Sequence, residues 1–109
     1  MKRSAAFLAA IALGCAGATV KSEHVLTGEP FPPYVGSVRI VMDGAPLSDP
    51  FEEVAVVSAK GENADATLQS ILGALQNEAA SLGCNAVVHV RYEQGARIAS
   101  ATGVAVRIK

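Results

Sequence analysis

Two cysteines and two histidines carry most of the reactive chemistry open to this 109-residue chain. Cys84 and His89 bring a thiol and an imidazole within five residues, the minimum for an activated nucleophile. Joined by His24 or Glu93, the same pair would make a soft-metal site. Neither reading is well furnished. The spacing matches no recognised ligand pattern, no third group stands ready to orient the base, and there is no G-x-S-x-G elbow or phosphate-binding glycine loop. Glu52 and Glu53 are adjacent, so on a strand they point to opposite faces and cannot share a proton. The residues therefore predict no enzyme, no catalytic residue and no cofactor. Cys84 is expected to fill a small buried slot after a helix. His89 is expected on a solvated sheet face beside Arg91, and His24 in solvent beside Glu23. A metal site at Cys84 and His89, or an intermolecular disulfide through Cys84, is the alternative.

The other cysteine lies in different surroundings. Met1–Lys2–Arg3 is a short basic start, and Ala5 to Leu13 is an unbroken apolar run of nine residues. Such a run suits an export signal and falls well short of the roughly 20 residues that a spanning helix needs. It leads into Ile11–Ala12–Leu13–Gly14–Cys15, which resembles a bacterial lipobox. That resemblance implies a signal peptide over residues 1–14, diacylglycerol on the Cys15 thiol, cleavage before Cys15, and acylation of the new amino group with palmitate-class chains. Two or more acyl chains anchor stably where one is marginal, at about 0.8 kcal/mol per buried methylene. Ala16, where an Asp would favour retention at the inner membrane, points to the outer membrane. An A-x-A match at Ala16–Gly17–Ala18 leaves open a soluble, secreted chain starting at Thr19.

Composition narrows the partners. Half of the residues are hydrophobic, Trp is absent and aromatics are few, so a core must be built from Val, Ile, Leu and Ala. Formal net charge is −1; loss of residues 1–14 removes Lys2 and Arg3 and no acid, leaving seven basic against ten acidic groups. That balance argues against nucleic acid, which needs a basic footprint. The expected partners are the membrane, through lipid on Cys15, and an envelope protein.

The elements follow from periodicity. Residues 15–35 read as the lipidated Cys and a flexible tether, because Pro30, Pro32 and Pro33 favour extended backbone and no apolar period is sustained. A domain is expected over 36–109. Ser37 to Met42 and Glu52 to Ala59 read as strands, the second buried on both faces and closed by Lys60–Gly61–Glu62. Leu68, Ile71, Leu72, Leu75, Ala79 and Leu82 make one apolar stripe, predicting a helix over about 64–82 capped by Asn63 or Asp65 and stopped at Gly83. From Asn85 to Glu93, strict alternation sets Ala86, Val88, Val90 and Tyr92 on one face and Val87, His89 and Arg91 on the other. In the last strand Val104, Val106 and Ile108 share a face. The small residues Ala101, Gly103 and Ala105 lie opposite, where a helix could pack closely. The expected fold is α+β, a four-stranded sheet with one helix on one face, in the order β-β-α-β-β.

Leu82–Gly83–Cys84–Asn85–Ala86–Val87–Val88, followed by Gly103–Val104–Ala105–Val106, resembles the YbjQ-like and Rcs stress-sensor (RcsF-type) small envelope proteins over roughly residues 52–108. In these motifs Gly83 permits a left-handed helix stop, Asn85 can bond loose backbone groups where the strand begins, and Gly103 leaves room for the helix. The resemblance implies an envelope interaction or signalling module, facing the periplasm, and a homo-oligomer or metal-binding ring as in YbjQ-like proteins. The Rcs sensor is held by disulfides; with Cys15 lipidated only Cys84 remains here, so no bridge within the chain can form.

Overall fold

The computed structural model describes residues 20–109. Residues 1–14 and Cys15 lie outside the described residues. The elements are β1 (Val20–Leu26), β2 (Arg39–Met42), β3 (Phe51–Glu62), α1 (Leu68–Ser81), β4 (Ala86–Gln94) and β5 (Ile98–Ile108), with a 3-10 turn over Asn63–Asp65. The five strands form one mixed sheet in the order β1-β3-β5-β4-β2. All neighbours are antiparallel except β2, which runs parallel to β4.

Among the described residues the fold is α+β with one α-helix on one face, as expected, but the sheet has five strands rather than four. The additional strand comes from the stretch read as a tether. Val20 to Leu26 pair in continuous register with Gly61 to Ala55, closing the free edge of β3. The proline segment that follows is docked as well. Phe31 donates its backbone N–H to the Leu82 carbonyl (3.0 Å) and Tyr34 donates to that of Ala80 (2.8 Å). These are carbonyls at the end of α1, which the helix itself leaves without partners. The segment expected to hold the domain away from its anchor thus supplies a strand and part of a helix cap, and the folded unit reaches back to Val20.

The helix begins at Leu68, the first residue of its stripe, rather than at about residue 64. Thr67, not Asn63 or Asp65, is the N-cap, its hydroxyl accepting from Ser70 N–H at 3.2 Å. Ile71, Leu75, Ala79 and Leu82 are buried, whereas Leu68, the first residue of α1, is half exposed. At the other end Gly83 has φ +82°. Gly83 N–H donates to Ala80 and Cys84 N–H to Ala79, both at 3.0 Å, the paired bonds of a Schellman stop.

Below the helix lie Val54, Val57, Ala59, Ala99, Ala101 and Ala105, with Val87 and Val90 beside them. The small residues of β5 do face α1. β3 is buried on this face only: Val56 on the other side is 43% exposed, so the expected two-sided burial is not found. β3 also runs on through Lys60 and Gly61, its pairing to both neighbours carrying it past the expected turn.

Alternation fails in β4. Val88 pairs with Val104 and Arg91 with Thr102, so His89 and Val90 together oppose Gly103: a β-bulge. The extra residue reverses the faces beyond it. Val87, Val90 and Tyr92 join the helix-side core, while Ala86 and Val88 pack with Val106 on the opposite face. Val88 and Val90 therefore do not share a face. His89 takes φ +54°, in the left-handed region, to make the bulge. Gly103 has a different use from the one expected. A Cβ there would meet Val87 Cγ1 at 2.6 Å and Val90 Cγ2 at 3.0 Å, so the glycine makes room for the bulge rather than for the helix.

Candidate functional site

Cys84 follows the Schellman turn, which directs it inward, and its side chain is fully buried in the helix-side core. Burial pushes its thiol up to about 11, partly opposed by the nearby Arg107 charge. At neutral pH it is therefore a protonated thiol, the inert form for attack or metal binding. His89 is on the other side of the sheet, with Nδ1 3.7 Å from Asp43, which also lies 3.9 Å from Arg91 Nε. The fold does not bring Cys84 and His89 together. Among the described residues no three His, Cys, Asp or Glu side chains converge as a metal site.

His24 is exposed, as expected, but it lies on a paired strand and not in a tether. Its place on β1 sets Nδ1 2.5 Å from the Glu78 carboxylate on α1, and Ser22, two residues earlier on the same face, donates to Glu78 at 2.6 Å. The Ser22 bond, then that of His24, holds the Glu78 carboxyl below its ordinary range against a smaller opposing effect of burial. Serine, histidine and carboxylate are all present, yet in the wrong order for nucleophilic catalysis. Both donors go to the carboxylate, and no base takes the serine proton. The cluster ties the edge strand to the helix.

Asn85 bonds backbone as its type suggested. Its side-chain carbonyl accepts from Ile108 N–H at 2.7 Å and its amide donates to the Ile108 carbonyl at 3.2 Å. Arg107 stacks over Tyr34 and Phe31, 5.2 and 5.9 Å from their ring centres, and donates to the Gly83 carbonyl at 3.2 Å. This aromatic and guanidinium cluster fastens the proline segment to the helix end. No sequence motif announced it, because its members come from opposite ends of the domain.

Among the described residues the sheet face away from α1 is open over β1, β3, β5 and the far half of β4, whereas Val88 is covered by Val41 and Leu47. Register sets its outward side chains in three rungs: Lys21–Lys60–Ser100–Glu93, Glu23–Ser58–Thr102–Arg91 and Val25–Val56–Val104–Val88. Two adjoining depressions, of about 270 and 310 Å³, lie over the two polar rungs and share Ser100 and Thr102. Beside the apolar rung, Val41, Leu47, Phe51 and Val88 line a pit of about 80 Å³. This face is the broadest functional candidate, and strand alternation on β1 could have revealed its first column had the segment not read as a tether.

The architecture defines a small α+β domain, one helix on a five-stranded mixed sheet. It is similar to the crystal structure of a Francisella virulence factor, FvfA, with a TM-score of 0.58 and 17% identity over 79% of this chain and 96% of that one. At that identity the likeness shows the fold. No protein-family model matches the chain, and no curated protein matches it.

Proposed function

We propose that this protein is a bacterial envelope lipoprotein whose domain acts by binding a partner and not by catalysis. The observation that carries the reading is Ile11–Cys15, a lipobox-like stretch directly after a basic start and a nine-residue apolar run. Thioether-linked diacylglycerol on Cys15, with a further acyl chain on its amino group, would give two-signal anchoring. No helix among the described residues is long and apolar enough to cross a membrane.

The fold changes what that anchor means. Five residue steps separate Cys15 from Val20, the first residue of β1, and extended chain covers at most about 18 Å in that span. The anchored domain sits near the lipid surface, with its β1 edge the nearest described element. A non-catalytic role is supported by the buried, protonated Cys84 and by a Ser22 that donates to a carboxylate.

The test is the intact mass of the protein from the membrane fraction, beside a Cys15→Ser variant. A chain starting at Cys15 with added acyl mass, absent from the variant, is the expected result. An unlipidated chain starting at Thr19 overturns the anchor and leaves a soluble periplasmic domain.

A further inference from the structure

The open sheet face has a charge pattern that matches itself. Lys21 lies directly across from Lys60, and like charges opposite one another on adjacent strands repel. Lys21, Lys60, Glu23 and Glu93 make no ion pair with any described residue. The cations gather at the β1 side of the first rung and its one anion at the β4 side. In the second rung the order is reversed, with Glu23 on β1 and Arg91 on β4.

We propose that this face binds a second copy of the chain, around a two-fold axis parallel to the strands between β3 and β5. That operation lays β1 over β4 of the partner and β3 over β5 while keeping every rung at its own height. Lys21 then faces Glu93 of the partner subunit, and Glu23 faces the partner's Arg91. Lys60 and Ser58 meet hydroxyls, and Val56 meets Val104 of the partner subunit. Val25, 69% exposed in the single chain, comes over the column of the partner's Val88, beside the apolar pit. Each contact occurs twice, as a closed two-fold interface requires.

The direction of the axis follows from the pattern. An axis across the strands through the middle rung would exchange the first rung with the third, setting Lys21 and Lys60 against Val25 and Val56. Stacked sheets cross at about 30°, and β1 and β4 lie about 7 Å from the axis, so facing residues there shift by about 4 Å. Lys, Arg and Glu side chains span that offset. The interface is isologous and closes at two copies, unlike a ring, and it uses the sheet face rather than the anchor, so it stands or falls apart from lipidation.

The experiment is sedimentation velocity over a micromolar dilution series of the purified protein and two charge reversals, Lys21→Glu and Glu93→Lys. Both positions are on the exposed face, and circular dichroism checks that each variant keeps its fold. The wild type is expected at twice the chain mass. Each variant alone sets like charges together twice and dissociates at concentrations at least about tenfold higher. An equimolar mixture of the two restores the dimer, because Glu at 21 then meets Lys at 93 on one side and Lys21 meets Glu93 on the other. A monomeric wild type overturns the proposal. So does a dimer that neither reversal weakens, or one that the mixture fails to restore.

Discussion

Phe31 packs directly over Gly83. A Cβ added at Gly83 would strike the Phe31 Cβ and come within 2.6 Å of its backbone carbonyl carbon and oxygen. The glycine thus answers two demands at once: a φ of +82° and the close passage of the proline segment over the helix end. Gly83→Ala incurs about 1–2 kcal/mol for the left-handed backbone and a further 1–3 kcal/mol, roughly, for overpacking against Phe31. Urea unfolding should show a fall of that combined size. A loss of under about 1 kcal/mol would mean that the proline segment lifts away at little cost and that Phe31 does not fasten it.

The clamp between β1 and α1 predicts a specific acid sensitivity. Glu78 is held below the ordinary carboxylate range in the fold, chiefly by the Ser22 bond and then by His24. A depressed carboxyl stabilises fully above its unfolded value, and that contribution disappears as pH falls through the folded value. Stability should therefore decline on the acid side, from about pH 5 downward. Glu78→Gln should flatten this part of the acid limb in urea midpoints, and Ser22→Ala should remove about 1 kcal/mol near neutrality. An acid limb identical in wild type and Glu78→Gln would show that another carboxylate governs it.

Cys84 should be silent until the domain unfolds. Its burial and its thiol, raised to about 11, leave almost no accessible thiolate at neutral pH. In a Cys15→Ser background, where Cys84 is the sole cysteine, a chromogenic disulfide reagent should react stoichiometrically in denaturant and negligibly without it. Rapid labelling of the folded protein would revive a reactive or metal-binding role. Cys84→Ser places a hydroxyl in an apolar slot and is expected to destabilise by about 1–3 kcal/mol more than Cys84→Ala.

Local chemistry made several elements legible from the chain alone. The stripe of Ile71, Leu75, Ala79 and Leu82 specifies a helix and its buried face, because 3.6-residue periodicity is a property of one segment. Gly83 marks the helix stop for an equally local reason. The small residues of β5 face α1, since alternation along an unbulged strand can be counted. Asn85 beside a strand start implied the backbone bonds that it makes with Ile108.

Other features were decided by residues far apart in sequence. Val20 to Leu26 has too few apolar residues to read as a strand, and it becomes one because β3 offers a free edge and Glu78 accepts from Ser22 and His24. The bulge at His89 and Val90 depends on Gly103 across the ladder, and it reverses which valines are buried. Strand identity at an edge and register after a bulge belong to the partner strand as much as to the segment itself. The basic start, the apolar run and Cys15 stand apart from both cases. They speak to processing, which is read from the linear chain, whereas the three rungs of the open face exist only once β1, β3, β5 and β4 lie side by side.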